Sequence, residues 1–264
     1  MSSQSITSHP EVGALQPDKL TLARAYYSRG LAYDAKGDYD HAIADFTQAI
    51  QLKPNDANTY YNRGLAYDAK GDCNRAIDDY TKAIELKPNN AIIYNNRGRA
   101  YGEKGNYARA IEDFDKAIQL NPHYAYAYNN RGAAYRNEGN YVQAIEDCTR
   151  AIALKPDYAD PHVNRGAAYR NKGEVERAVA DYTKAIELEP NSEKAYYNRG
   201  IAYGEKGDFD RAIVDYTKAI ERKPNLVKAY NNRGNAYNKQ GEYARAIEDY
   251  NRAIQRKPDL AESY

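Results

Sequence analysis

The chain has 264 residues, and its 38 Lys and Arg against 37 Asp and Glu give a formal net charge of +1. This balance argues against a general binder of nucleic acid or of membrane surfaces, because both need a positive excess. No apolar run approaches the length of a membrane span. The first residues, MSSQSITSHPEVGALQ, have neither the basic nor the apolar region of a secretory signal.

The predicted elements begin with an N-terminal tail, residues 1–22, which we expect to be flexible and to become helical near Leu20. After the tail, the dipeptide Arg-Gly recurs seven times, once every 34 residues. A fixed period in this range is typical of stacked supersecondary units. The predicted repeats are 23–56, 57–90, 91–124, 125–158, 159–192, 193–226 and 227–260, and residues 261–264 match the start of an eighth.

Within each repeat, positions are numbered from 1 to 34 so that the glycine of Arg-Gly stands at position 8. Helix A is predicted over positions 2–14 and helix B over positions 18–31. Glycine at position 15 ends helix A, and proline at position 32 ends helix B. Alanines at positions 10, 20 and 27 and aromatic residues at positions 4, 11 and 24 form the predicted core. His162 replaces the aromatic residue at position 4 of the fifth repeat.

This pattern resembles the tetratricopeptide repeat (TPR) family over residues 23–260. The resemblance implies an all-α fold, a right-handed α-solenoid or superhelix of stacked antiparallel helix pairs. It also implies a concave groove lined by the A helices, and a non-enzymatic scaffold that binds a protein or an extended peptide there. The carboxylate clamp of some family members requires lysine at position 5, which no repeat has.

The sequence departs from the family at position 7, where arginine replaces leucine in all seven repeats, and aspartate stands at position 23 in all seven. We predict that each Arg–Asp pair ties helix A to helix B or to the neighbouring repeat. The alternative is a row of arginines that binds phosphates or carboxylates. The matched aspartates argue against it, because they would neutralise the arginines.

Asparagine at position 6 is the most regular feature of the predicted groove. An amide offers both a donor and an acceptor and can therefore grip a peptide backbone, although asparagine is also common at this position in the family. The six are Asn62, Asn96, Asn130, Asn164, Asn198 and Asn232.

The other groove positions vary between repeats and are expected to set specificity. We predict a partner segment with apolar anchors at one end and acidic side chains near its middle; the alternative is solvated charge, paired with Glu103 and Glu205. Interior helix glycines, Gly102 and Gly204, leave room for a ligand backbone or are inherited from duplication. The candidate residues are Tyr27, Leu31, Tyr61 and Leu65, then Arg99, Tyr126, Arg136 and Arg170, and finally Tyr197, Lys194 and Lys228.

No catalytic residue, metal site or cofactor is predicted, because nucleophile motifs, phosphate loops and metal-ligand spacing are all missing from the sequence. Cys73 and Cys148 replace aromatics at core positions of different repeats. Free buried thiols fit a reducing compartment, so we expect a cytoplasmic location.

The last helix pair raises two alternatives to peptide binding. Helix B of the seventh repeat is expected to expose Tyr250, Ala253 and Ile254, and terminal repeats normally carry a polar outer face. The alternatives are a self-associating structural module and the recognition part of a larger protein.

Overall fold

The computed structural model describes residues 18–256, and within that range it confirms the all-α prediction, with helices and no strand. The predictions for residues 1–17 and for the start of an eighth repeat lie outside the described residues. The helices are α1 Lys19–Ala35, α2 Tyr39–Leu52, α3 Ala57–Ala69, α4 Cys73–Leu86, α5 Ala91–Glu103, α6 Tyr107–Leu120, α7 Ala125–Asn137, α8 Tyr141–Leu154, α9 Ala159–Asn171, α10 Val175–Leu188, α11 Glu193–Glu205, α12 Phe209–Arg222, α13 Val227–Lys239 and α14 Tyr243–Arg256.

Two compact parts divide the chain. The N-terminal segment is Met1–Pro88, which holds α1 to α4, and the C-terminal segment is Asn89–Tyr264, which holds α5 to α14. In both segments odd-numbered helices are A helices and even-numbered helices are B helices. Each A helix packs against the B helix that follows it, which gives the antiparallel pairs of the prediction.

Local sequence explains why the helices stop where they do. The position-15 glycines have φ between 75° and 85°, a left-handed conformation that favours glycine. The next amide donates back to the position-11 carbonyl, as from Asp72 to Tyr67 at 2.9 Å, which closes helix A in a Schellman turn. The side chain of Asp72 then caps helix B by accepting from the Arg75 amide.

The helix boundaries fall one residue earlier than predicted in most repeats, at positions 1–13 and 17–30. At the end of helix B the cause is the proline at position 32. The residue before a proline is driven out of the helical region, and Lys87 at position 31 has φ −143° and ψ 77°. Helix B therefore ends before position 31.

Small residues and rings alternate in the core. Ala76 at position 20 and Ala83 at position 27 are fully buried, and so is the Tyr80 ring at position 24. The position-11 tyrosines are half-buried rather than core, except Tyr67, which is 8% exposed. Their rings lie beside the position-7 guanidinium groups, as at Arg63.

The Arg–Asp pairs are present in all seven repeats. In each, arginine Nε and Nη2 donate to the two oxygens of one carboxylate, with distances of 2.6–2.9 Å. The position-7 and position-23 residues thus tie helix A to helix B of the same repeat. All seven aspartates are buried, with at most 6% exposure.

The predicted pair is therefore the one within the repeat; in several repeats Nη1 of the arginine also reaches threonine at position 25 of the preceding repeat, a contact that was not predicted. Nη1 of Arg199 donates to Thr183 Oγ1 at 3.0 Å, and Nη1 of Arg233 donates to Thr217 Oγ1 at 2.9 Å. Since their nitrogens are bonded within the protein, these arginines are not the surface row that was the alternative.

His162 is buried, as predicted for a residue in the place of a core aromatic. Its Nδ1 lies 3.1 Å from Oδ1 of Asp181, beside the bonds from Arg165. Burial raises the pKa of Asp79, which has an arginine alone. Burial acts in the same direction on Asp181, but the hydrogen bonds from Arg165 and His162 outweigh it and hold that pKa below its usual value.

Candidate peptide-binding face

The A helices form one side of each segment. In the C-terminal segment α5, α7, α9, α11 and α13 contact one another in sequence, while no two B helices of the described chain make a comparable set of contacts. In the N-terminal segment α1 contacts α3. We use the term A-helix face for positions 2, 5, 6, 9, 12 and 13 of the A helices, which follow helical spacing.

The asparagine ladder on this face has a structural role that the sequence did not reveal. The position-6 amide donates across 35 residues to position 5 of the preceding repeat. Asn130 donates to Asn95 Oδ1 and Asn164 donates to Asn129 Oδ1, each at 2.9 Å. The other examples are Asn62 to Tyr27 Oη at 2.8 Å and Asn232 to Tyr197 Oη at 3.2 Å. These bonds join neighbouring A helices within a segment and occupy one of the two donors of each amide.

Asn198 provides a natural comparison, because its neighbour at position 5 is Val163, which has no acceptor, and its side chain makes no hydrogen bond to a described residue. We predict that Asn164→Ala lowers the free energy of unfolding by about 1–2 kcal/mol, since it strands the buried Asn129 carbonyl. Asn198→Ala should change it by less than about 0.5 kcal/mol. Urea unfolding of both variants checks this, and equal losses would rule out the inter-repeat role.

The apolar strip predicted in the N-terminal segment is only partly accessible. Leu31 is 38% exposed, whereas Leu65, Tyr27 and Tyr61 are half-buried. The two tyrosine rings lie against the core rings of their own repeats, with centroids 5.9 Å and 6.0 Å apart. Leu31 is therefore the most exposed of the four predicted apolar anchors.

The predicted cationic residues of the C-terminal segment differ in their surroundings. Arg99 is exposed and its Nη2 lies 3.7 Å from Glu103 Oε1. Arg136 is half-buried and donates to Asn164 and Asn137 at 3.3 Å and 3.1 Å. Arg170 is also half-buried, and its Nε lies 3.7 Å from Glu205 Oε1. The sequence-based alternative of pairing with Glu103 and Glu205 is thus present in a loose form, beyond hydrogen-bond distance.

The remaining predicted residues lie farther along the same face. Lys194 and Lys228 are exposed, and Tyr197 is half-buried. Tyr126 is 42% exposed and accepts a hydrogen bond from Lys155 Nζ at 2.7 Å. The centroids of the Tyr126 and Tyr158 rings are 5.0 Å apart, and Lys155 Nζ lies over the Tyr126 ring. The fourth repeat therefore begins with an exposed tyrosine that contacts a lysine.

Two polar groups near the middle of the C-terminal segment are buried without a hydrogen-bond partner. They are Nη1 of Arg170 and the hydroxyl of Tyr182. Burial raises the pKa of Tyr182 to about 12, and the charges of Arg170 and Arg136 act against that rise, so all three lie close together. Buried groups without a partner are rare in proteins. Tyr182 was not predicted as a site residue, because the sequence marks position 24 only as core.

Two equivalent pockets open beside glycines at position 12. One, of about 200 Å³, includes Gly102, Phe114 and Asn130 in its lining. The other, of about 300 Å³, includes Gly204 and Tyr216. Both are lined by residues at the same repeat positions: Arg99, Gly102, Glu103, Tyr107, Phe114, Asn130, Ala133, Ala134 and Asn137 in one, and Ile201, Gly204, Glu205, Phe209, Tyr216, Asn232, Asn235, Ala236 and Lys239 in the other.

Cys148 lies at position 24, where most repeats have a ring, and it is fully buried, whereas Cys73 is half-buried. Burial raises the pKa of the Cys148 thiol to about 12. Only the thiolate reacts, so we predict that native protein at pH 8 releases one equivalent of thionitrobenzoate from Ellman's reagent, and two after denaturation. Cys148→Ala should retain the fast native reaction; its loss in that variant would reverse the assignment.

Two family models match the chain, and one of them coincides with five of the repeats. The tetratricopeptide repeat model matches residues 23–56, 91–124, 125–158, 193–226 and 227–260. A further TPR repeat model matches 68–105 and 167–207. The chain belongs to the tetratricopeptide repeat family, whose members are in general scaffolds for protein interactions.

Solved structures agree with this assignment. A tetratricopeptide repeat protein from Parabacteroides merdae has a TM-score of 0.74 at 22% identity, covering 88% of this chain and 92% of the other. MamA has a TM-score of 0.55 at 27% identity, with 62% and 96% covered. YrrB, described as a TPR protein with an unusual peptide-binding site, has a TM-score of 0.52 at 26% identity, with 70% and 95% covered.

No curated protein matches the chain. Among the described residues, each helix is too short or too polar to cross a membrane.

Proposed function

We propose that the A-helix face of the C-terminal segment binds an extended peptide segment of a partner protein, and that acidic side chains of the peptide are bound near Arg136 and Arg170. The protein acts as a scaffold and not as an enzyme. The observation that carries this proposal is the pair of half-buried guanidinium groups at position 12 of neighbouring A helices, Arg136 and Arg170, whose polar contacts within the protein are long, at 3.1–3.7 Å.

The chemistry of these donors favours a carboxylate. Arginine is always charged and presents up to five N–H donors, so it suits a carboxylate oxygen. Arg136 adds a second positive charge close to Tyr182. The rival occupant of this space is ordered water, which would satisfy the donors without any partner.

Glu205 limits how strongly an anion is held. Its carboxylate lies 3.7 Å from Arg170 Nε and is 45% exposed, so it competes with an incoming acidic group. The proposal therefore predicts two opposite effects on the same site, weaker binding without the arginines and stronger binding without the glutamate.

The test uses a fluorescein-labelled peptide with a central run of glutamates, and its glutamine counterpart, in anisotropy titrations of the full chain. We expect the double change Arg136→Ala and Arg170→Ala to lower affinity for the glutamate peptide by about tenfold or more, since hydrogen bonds to charged groups stabilise by about 1.5–3 kcal/mol each. Glu205→Gln should raise it. The control is Arg150→Ala, an exposed arginine on α8. If the double variant binds like the parent, water and not an acidic peptide occupies the site.

We also propose a reducing, cytoplasmic setting for this interaction. The support is chemical: both cysteines are free, and Cys148 is buried at a core position. Buried free thiols are typical of proteins kept in reducing compartments.

A second proposal concerns self-association through α14. Three large side chains there, Tyr243, Ile247 and Ile254, are 60–64% exposed. Ala253 was predicted to be exposed as well, but it is buried against Ala219 and Tyr230, and Tyr250 is half-buried. Light scattering over a concentration series, with Ile247→Glu as the variant, tests this; a mass independent of concentration would argue against it.

A further inference from the structure

We propose that Gly102 and Gly204 form two side-chain pockets, which together bind a peptide segment with two aliphatic side chains on either side of acidic residues. The inference rests on the proposed function and specifies the class of ligand. Its starting point is that the fold gives no reason for glycine at either residue.

Three kinds of glycine occur among the described residues, and two of them have structural explanations. The position-15 glycines adopt positive φ. The position-8 glycines lie against buried side chains; a Cβ on Gly166 would come within 2.8 Å of the Tyr182 ring. Glycine is required in both cases, by backbone conformation or by lack of space.

Neither explanation applies to Gly102 and Gly204. Both lie in the last turn of an A helix, one residue before its end, and neither has positive φ. A Cβ on Gly102 would meet only Ala110 Cβ at 4.0 Å, and one on Gly204 only the Tyr216 hydroxyl at 3.6 Å. Both are ordinary van der Waals distances. Because glycine has a lower helix propensity than alanine, these two residues do not stabilise their helices. The space they leave is the pocket.

The size of the pockets indicates what fits. A cavity of roughly 150 Å³ is enough to hold benzene, and sites for drug-sized ligands begin at roughly 300 Å³. At about 200 Å³ and 300 Å³, each pocket suits a single side chain better than a cofactor. Aromatic rings line both, namely Tyr107 and Phe114 in one and Phe209 and Tyr216 in the other.

The charges between the two pockets indicate which residues of the peptide should separate its two aliphatic side chains. Position 12 is Gly102, Arg136, Arg170 and Gly204 in four successive repeats, so a cationic stretch separates the two pockets. Neighbouring A helices pack about 8–10 Å apart, which puts three repeats at roughly 25–30 Å. An extended chain covers that span in about eight or nine residues. Acidic residues in the interval complement the two arginines.

The experiment measures anisotropy with full-length protein and a panel of fluorescein-labelled peptides. The parent peptide has two leucines about eight residues apart with glutamates between them. Relatives replace both leucines with serine, replace the glutamates with glutamine, or change the leucine spacing by two residues in each direction. The protein variants are Gly102→Leu and Gly204→Leu, which fill the pockets; the control, Ala180→Leu, adds the same side chain at an exposed position of α10.

We expect the two-leucine peptide to bind about tenfold or more tightly than its serine relative, since burying a leucine in a pocket stabilises a complex to about that degree. Gly102→Leu and Gly204→Leu should remove this advantage but leave binding of the serine relative unchanged, and Ala180→Leu should do neither. Equal affinity for leucine and serine peptides overturns the pocket inference and leaves the proposed function intact. Absence of binding by every glutamate peptide overturns both. Far-UV circular dichroism shows whether each variant is folded.

Discussion

Arg199→Ala is expected to lower the free energy of unfolding by about 3–5 kcal/mol, because it leaves a carboxylate buried without its partner. Asp215 is 2% exposed and accepts from Nε and Nη2 of Arg199 at 2.8 Å and 2.9 Å. The same arginine also donates to Thr183 of the preceding repeat. Its removal therefore breaks contacts both within and between repeats. Urea unfolding followed by circular dichroism measures the loss.

Two further variants separate the pair from general effects of substitution. Lys184→Ala removes one partner of an exposed ion pair with Glu187, and we expect a change within about 0.5 kcal/mol. Replacing both partners, Arg199→Met with Asp215→Leu, should recover most of the loss, because two apolar side chains leave no buried charge. A small effect of Arg199→Ala would show that water reaches Asp215 and that the pair does not hold the repeat together.

The second large effect is expected from overpacking at position 8. Gly166→Ala places a Cβ within 2.8 Å of Tyr182 Cε1 and 3.1 Å of its Cζ, and the Tyr182 ring is fully buried. Forcing a methyl group into a packed core costs about 1–3 kcal/mol. The same change at Gly204 meets nothing closer than 3.6 Å.

Comparison of the two glycine variants separates the packing effect from helix propensity. Both variants gain propensity, and the gain is larger, up to about 1 kcal/mol, at Gly166 in the middle of its helix than at Gly204 near the end of α11. We predict that Gly204→Ala is as stable as the parent or more stable, and that Gly166→Ala is about 1–3 kcal/mol less stable than Gly204→Ala. Thermal and urea unfolding of both proteins provide the measurement. If Gly166→Ala were the more stable of the two, the Tyr182 ring could not lie as close to the α9 backbone as the structure places it.

Much of the fold follows from residues that recur at fixed positions. Glycine at position 15 and proline at position 32 predict the ends of the helices. At the end of helix B the error of one residue comes from the extended conformation before proline, seen at Lys87. The Arg–Asp pair was predictable because an arginine and an aspartate recur together in every repeat. Opposite charges at positions that face the core are expected to bind each other. Of the two contacts foreseen for the pair, the one within the repeat occurs. The contact to the preceding repeat goes to a threonine, Thr183, and was not foreseen.

The candidate site was less accessible to sequence reasoning, because it depends on which residues meet across repeats. The bond from Asn164 to Asn129 joins positions 6 and 5 across 35 residues, and only the stacking of A helices brings them together. A signal was present, since position 5 carries an acceptor before Asn62, Asn130, Asn164 and Asn232 but valine before Asn198. The buried hydroxyl of Tyr182 had no comparable signal.

The central claim, that an acidic peptide lies on the A-helix face near Arg136 and Arg170, is tested most directly by photo-crosslinking. A glutamate-rich peptide with a benzophenone next to its central glutamate is irradiated with the full chain, and the linked residues are located by mass spectrometry. We predict crosslinks in α7, α9 and α11, which carry Arg136, Arg170 and Glu205, and their loss when both arginines are replaced by alanine. Crosslinks confined to the B helices α8, α10 and α12, unchanged in that variant, would contradict the account.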